Sequence, residues 1–145
     1  MPYQIYVGHS RDPKYQYRLT LYAPLKALLQ VHQVYFPHEQ DGPPSINSEE
    51  LLPKCQLMIA EVSYPSTGLG LELAWARTAK ILVLCIHLTD CPPSSSVTSL
   101  FPHLLAYADE ADLCEKIAQW ITAHTAELDG LLLSLPTASS VFREI

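Results

Sequence analysis

Short apolar runs alternate along this chain with stretches in which apolar residues return every three or four positions. Residues 3–7 (YQIYV) read as a buried strand, which Gly8-His9-Ser10-Arg11-Asp12-Pro13 ends as a loop rich in turn formers. Over residues 15–30, Leu19, Tyr22, Leu25, Leu28 and Leu29 share one face of a predicted helix, with Pro24 either kinking it or opening a fresh first turn. Residues 33–36 predict a second strand, and residues 37–47, with three prolines and a glycine, a loop leading to a short helix near 48–52. Residues 57–62 (LMIAEV) form a third predicted strand, 63–70 a loop, 71–79 a helix and 80–86 (KILVLCI) a fourth strand. A Pro/Ser loop over 89–96 precedes a fifth strand near 104–107. A last helix over 110–128 carries Leu113, Ile117, Trp120 and Ile121 at helical spacing.

Strands and helices in strict alternation, with nearly continuous apolar strands, predict an α/β fold. It is a single domain with a parallel sheet of about five strands, Rossmann/flavodoxin-like, and helices on both faces. The domain is expected over residues 1–128, with 129–145 a tail whose apolar Leu131-Leu132-Leu133 packs on its own domain or on a partner subunit. A chain of 145 residues that is 48% hydrophobic suits one core and leaves no room for a second. No apolar run reaches the roughly 18 residues of a membrane helix, and the N-terminus lacks a signal-peptide pattern, so a cytoplasmic protein without membrane contact is expected. The cysteines at 55, 85, 91 and 114 make no C-x-x-C pair, and Cys85 sits in an apolar run; neither disulfide nor metal is expected. A net charge of −6 argues against nucleic-acid binding, so any anionic ligand must be held by a local site.

The strongest local signal is the segment AEVSYPSTGLGLELAWA, residues 60–76, which reads as strand, Ser/Gly loop and helix. Gly68 and Gly70 let backbone approach a ligand closely, and loop amides beside a helix N-terminus attract anions. Glu72 is expected in the first turn of that helix, where the dipole keeps it ionised. An ionised carboxylate at a strand's carboxyl end can attack, or stabilise, an oxocarbenium-like centre. The plainer reading, that Glu72 only complements the dipole and the glycines only turn the chain, carries about equal weight on the pattern alone.

This segment resembles the active-site signature of the nucleoside 2-deoxyribosyltransferase superfamily, especially its 2'-deoxynucleoside 5'-monophosphate N-glycosidase branch. The resemblance runs over about the first hundred residues, from IYVGHSR to VTSLF. It implies that Glu72 is the nucleophile and that the first strand supplies Tyr6, Gly8, Ser10 and Arg11; Tyr6 could equally be a core aromatic. Ser66 stands where the transferase branch has an aspartate that contacts the free sugar hydroxyl, and the monophosphate hydrolases have serine. With Arg11, Gly68 and Gly70 it makes a phosphate cradle, although Ser66 and Arg11 also read as an ordinary turn residue and a surface charge. The sequence departs from the family at Ser48, where an aspartate usually assists the leaving base. Glu49 is one residue away and would substitute after a register shift. His38 follows the second strand, where the family builds part of its base pocket, and otherwise reads as an exposed loop histidine.

The resemblance therefore implies a cofactor-free hydrolase of (2'-deoxy)nucleoside 5'-monophosphates that releases base and sugar phosphate. The alternatives are a nucleoside 2-deoxyribosyltransferase and a non-catalytic nucleotide-binding protein that has lost turnover with the change at Ser48. Its partner is a small-molecule nucleotide or nucleoside. A homodimer is expected, in which residues 97–101 resemble the segment that lends a serine, here Ser99, to the neighbouring subunit's phosphate site.

Overall fold

Apolar side chains run almost continuously along the central predicted strands, on both alternating sets of positions, so the sheet needs cover on both faces. In the computed structural model, which describes residues 2–43 and 46–134, this is met by one five-stranded sheet. The strands are β1 (Gln4–His9), β2 (Gln33–Tyr35), β3 (Leu57–Glu61), β4 (Leu82–Leu88) and β5 (Leu104–Tyr107). They lie in the order β2-β1-β3-β4-β5, every ladder parallel, as expected for a flavodoxin-like sheet. Winding reverses between β1 and β3, and the crevice beyond their carboxyl ends is where such sheets hold ligands.

A π-helical segment, Arg18–Tyr22, runs into α1 (Ala23–Leu28), and α2 (Ser48–Leu51) into a 3-10 turn, Leu52–Lys54. Then come α3 (Thr67–Thr78), α4 (Ser95–Leu100), α5 (Glu110–Ala123) and α6 (Thr125–Ser134). Ile5, Val7, Ile59, Leu84 and Ile86 face one way, onto Leu25, Leu113, Ile117 and Leu128 of α1, α5 and α6. Tyr6, Met58, Ala60, Val83 and Cys85 face the other way, onto Leu69, Leu73 and Ala76 of α3. Gly8 sits at the tightest point of that second face. A Cβ there would come within 2.6 Å of Met58 Cε and 3.2 Å of Leu69 Cδ1, so glycine lets α3 close down on β1.

Several elements differ from what the periodicity predicts. Leu19 is 66% exposed, whereas Leu21 is fully buried. The cause is the π-helical winding at Arg18–Tyr22, closed by the Ala23 N–H on the Arg18 carbonyl, which slips the helical register by about one residue. Pro24 then occupies the first turn of α1, where its missing N–H costs nothing. Helix α3 begins at Thr67, not Leu71, because Ser66 caps it through the Leu69 N–H at 3.3 Å, drawing Gly68 and Gly70 into the first turn. Lys80, with φ of 61°, is a left-handed residue that ends α3, so β4 starts at Leu82. The Pro/Ser loop contains α4, and the last predicted helix is two, α5 and α6.

Position 129 is not a break. Tyr3 donates a 2.6 Å hydrogen bond to Asp129, Leu128 is fully buried and Leu132 packs on the core, while Leu133 points outward. Residues 135–145 of the expected tail lie outside the described residues. Among the described residues no helix is long and apolar enough to cross a membrane.

Candidate active site

A cavity of about 490 Å³ opens at the switch point between β1 and β3. Tyr6 of β1 forms its floor with Glu72 of α3, His9 and Arg11 follow β1, and His38 follows β2. Ser48 and Glu49 come from α2, and Ser66, Gly68 and Trp75 from α3 or its cap. Segments far apart in sequence meet here because all lie at the carboxyl ends of parallel strands.

Glu72 lies in the second turn of α3, beyond the reach of the helix dipole, and is 8% exposed. The first-turn, dipole-held carboxylate expected from the sequence is thus corrected. Burial dominates and raises its pKa from 4.5 to about 7, while the Tyr6 and Ser48 hydroxyls draw it back down. Tyr6, fully buried, donates to Glu72 Oε2, and its oxygen lies 2.5 Å from Ser48 Oγ. Ser48 is held in place by α2, which Asn47 caps through the Glu50 N–H. Glu49, on the outer side of the same turn, lines the cavity but stays exposed.

At the other end of the cavity, the Leu69 N–H is taken by Ser66 Oγ and the Gly70 N–H by the Ser66 carbonyl. The helix's open donors are then the amides of Thr67 and Gly68. Gly70 faces the neighbouring groove instead of the cavity, so the expected part for its amide in a phosphate cradle falls away. Ser66 keeps its own hydroxyl proton free, and the exposed Arg11 lies on the same rim. Gly8 and Ser10 are buried beneath the rim; Ser10 Oγ accepts the Asp12 N–H at 3.0 Å. Ser99 is on the outer side of α4, bonded to the Ser96 carbonyl at 3.2 Å and away from this cavity.

His9 and Tyr22 were not expected as site residues, and Ser48 was expected only as the place of a missing acid. His9 is 3% exposed, and burial lowers its pKa to about 4, so it is neutral. Its Nδ1 meets the Ser10 carbonyl at 2.8 Å and so carries the proton, leaving Nε2 to accept from the Tyr22 hydroxyl at 2.6 Å. The Tyr22 oxygen in turn accepts the His38 N–H at 3.1 Å, and Tyr17 donates to the His38 carbonyl at 3.2 Å. One satisfied chain of bonds therefore ties the loop below Arg11 to the loop that carries His38. The His38 ring is also held neutral by burial, and its Nδ1 is buried without a partner among the described residues. No motif encodes this chain; the only signal was the density of Tyr and His between positions 9 and 38.

A second buried carboxylate stands outside the cavity. Glu61, at the end of β3, accepts the Ser63 N–H at 2.6 Å and the Tyr107 hydroxyl, and Ser63 Oγ accepts the Leu88 N–H at 2.8 Å. It ties together the ends of three strands and the turn that leads to Ser66.

No protein-family model matches the chain. Two curated proteins, each described as "Putative 2'-deoxynucleoside 5'-phosphate N-hydrolase 1", from Methanosarcina barkeri and Methanosarcina mazei, are 42% identical over 76 residues. That is 50% of this chain and 48% and 47% of theirs, so the chain spans about half the length of the curated relatives it matches. Among solved structures, a CMP N-glycosidase from Clostridium botulinum aligns with a TM-score of 0.57 and 16% identity, covering 79% of this chain and 98% of the other. A conserved protein from Enterococcus faecalis aligns with a TM-score of 0.53 and 18% identity over 83% and 99%. At such identities these two structures speak for the fold. The sequence relatives bear out the resemblance to monophosphate N-glycosidases.

Proposed function

We propose that this protein is an N-glycosidase that hydrolyses the base–sugar bond of (2'-deoxy)nucleoside 5'-monophosphates, with Glu72 as nucleophile. The observation that carries this reading is the buried Glu72–Tyr6 pair on the floor of a cavity whose rim offers Arg11, the Ser66 hydroxyl and the open Gly68 amide. A dianion on that rim sets the sugar across the floor. Since Tyr6 occupies Glu72 Oε2, we assign Oε1 to attack on C1′. A C–O bond forms as the C1′–N bond breaks, the base leaves with the bond pair and takes up a proton, and water then hydrolyses the glycosyl ester. His38 and Glu49 stand on the base side, where either can contact or protonate the leaving base. The reading asks for no metal or organic cofactor.

The assembly is a homodimer in which Ser99 of each chain reaches the other's phosphate rim. Support comes from an apolar groove of about 410 Å³ between α3 and α4, lined by Leu69, Leu73, Val97, Leu100 and Phe101 and sharing Ser66 with the cavity. Leu100, on its wall, is 48% exposed, and Leu71, on the wall of the adjoining cavity, is 51% exposed.

The decisive experiment compares kcat/KM on paired nucleosides and 5'-monophosphates for the parent, Arg11→Ala and Ser66→Asp proteins. Monophosphates are expected to be preferred, and Arg11→Ala to cost them at least about tenfold, since a bond to a charged group contributes roughly 1.5–3 kcal/mol. Aspartate caps a helix as well as serine, so Ser66→Asp leaves α3 intact and isolates the effect of a negative charge. It should depress nucleotide cleavage far more than nucleoside cleavage. Equal use of both substrates by the parent, or transfer of its sugar to an added base, favours the transferase; tight binding without base release favours a sensor.

A further inference from the structure

Three oxygens, Ser48 Oγ, Tyr6 Oη and Glu72 Oε2, are joined through Tyr6 by two hydrogen bonds and share two hydroxyl protons when Glu72 is ionised. A carboxylate only accepts, so the single phenol proton must point at Glu72 and the Tyr6 oxygen is left to accept. Ser48, 2.5 Å away, has the proton that fills it. When Glu72 is protonated the chain can reverse, with Glu72 donating to Tyr6 and Tyr6 to Ser48. An aspartate at position 48 would compete with Glu72 for the same phenol proton and set a second negative charge beside the phenol oxygen.

We infer that Ser48 is a positioning residue: its hydroxyl donates to the Tyr6 oxygen, commits the phenol proton to Glu72 and keeps that carboxylate the accepting end of the chain. The serine at this place is then not simply the loss of an acid, but a donor suited to a nucleophile that burial would otherwise neutralise. The inference rests on Glu72 being the nucleophile, as proposed above. The groups facing Glu72 are few: Tyr6 and His9 from β1, Arg11 after it, Tyr22 from the π-helical segment, His38 after β2, and Ser48 and Glu49 from α2. Both histidines are held neutral by burial, so hydroxyls rather than imidazolium cations set the ionisation here.

The test is a carboxyl-carbon NMR titration of Glu72 in protein labelled with ¹³C-glutamate, the resonance assigned by its loss in Glu72→Gln. It needs no turnover, so it decides the inference even if no base is released, whereas failed base release would defeat only the proposed reaction. Ser48→Ala should move the Glu72 midpoint upward by about half a unit to one unit, as expected when a donor to a charged chain is lost, and Ser48→Thr should keep the parental value. In a Tyr6→Phe background the Ser48→Ala change should add little, because the middle link is gone. A midpoint unmoved or lowered in Ser48→Ala overturns the inference. So does an equal shift in both backgrounds, which would mean that Ser48 acts on Glu72 without Tyr6. If base is released, the acid limb of kcat/KM should move by the same amount as the NMR midpoint.

Discussion

Glu72 titrates near neutrality because it is buried under Tyr6, and this bears on activity and stability with opposite signs. If Glu72 is the nucleophile, as proposed, it must be ionised to attack, so kcat/KM should rise with pH through an apparent midpoint near 7, well above that of a free carboxyl. For stability, the folded pKa lies above the unfolded value of 4.5, so the native state binds the proton more tightly. The contribution is fully present below pH 4.5 and is lost as pH rises through about 7, roughly 3 kcal/mol in all. Glu72→Gln should abolish base release at every pH. It should also be more stable to urea than the parent at pH 8, with the advantage vanishing by pH 5. Parental turnover by Glu72→Gln would end the nucleophile assignment. Equal urea midpoints at pH 8 would show that Glu72 does not feel the burial ascribed to it.

Among the elements, β3 and the turn after it depend most on one side chain. Glu61 is 1% exposed, and burial pushes its pKa up while its bonds to Tyr107 and Ser63 pull it back. Removing one donor from a buried carboxylate leaves that carboxylate undersatisfied. Tyr107→Phe should thus lower stability by roughly 1.5–3 kcal/mol, read as a fall in the urea midpoint at unchanged slope. Because Glu61 holds the start of the turn that places Ser66, the variant should also weaken monophosphate use through KM more than kcat. Unchanged stability in Tyr107→Phe would mean that Glu61 does not depend on that donor. The π-helical segment and the Tyr17 that precedes it play the matching part on the other side of the cavity, through the Tyr17 and Tyr22 bonds to His38 and the Arg18 bonds to the Glu39 carbonyl at 3.2 Å and to Asp41 at 3.0 Å.

For the whole molecule, what matters is whether one chain makes a complete site. If Ser99 serves the neighbouring subunit, Glu72→Gln and Ser99→Ala proteins should each be impaired alone. When they are mixed under subunit exchange, the heterodimers each carry one intact site, and about a quarter of parental activity should return. Light scattering should report a dimer at assay concentration. A fully active monomer, or mixed variants that never recover, would place the whole site within one chain.

Sequence alone determined the alternation of strands and helices, the parallel sheet, the loop before α3 and the candidacy of Glu72, Tyr6, Arg11, Ser66 and His38. The alternation, the sheet, the loop and the candidacy of Glu72 rest on residues close together in the chain, where periodicity, capping and glycine placement act, whereas Tyr6, Arg11, Ser66 and His38 came with the resemblance to the nucleoside 2-deoxyribosyltransferase superfamily. The register at Arg18–Tyr22 was lost because a π-helical turn breaks the 3.6-residue period with no residue type that announces it. The ionisation of Glu72 was misjudged for a different reason. Local position suggests a helix dipole, but α3 starts earlier than its glycines imply, and solvent exclusion by β1 and α2 outweighs the dipole. Ser48 read as a missing acid because its partners, Tyr6 and Glu72, are 42 and 24 positions away in the chain. Only the folded sheet, by gathering its strand ends, makes these three oxygens neighbours, and a proton's position depends on neighbours in space.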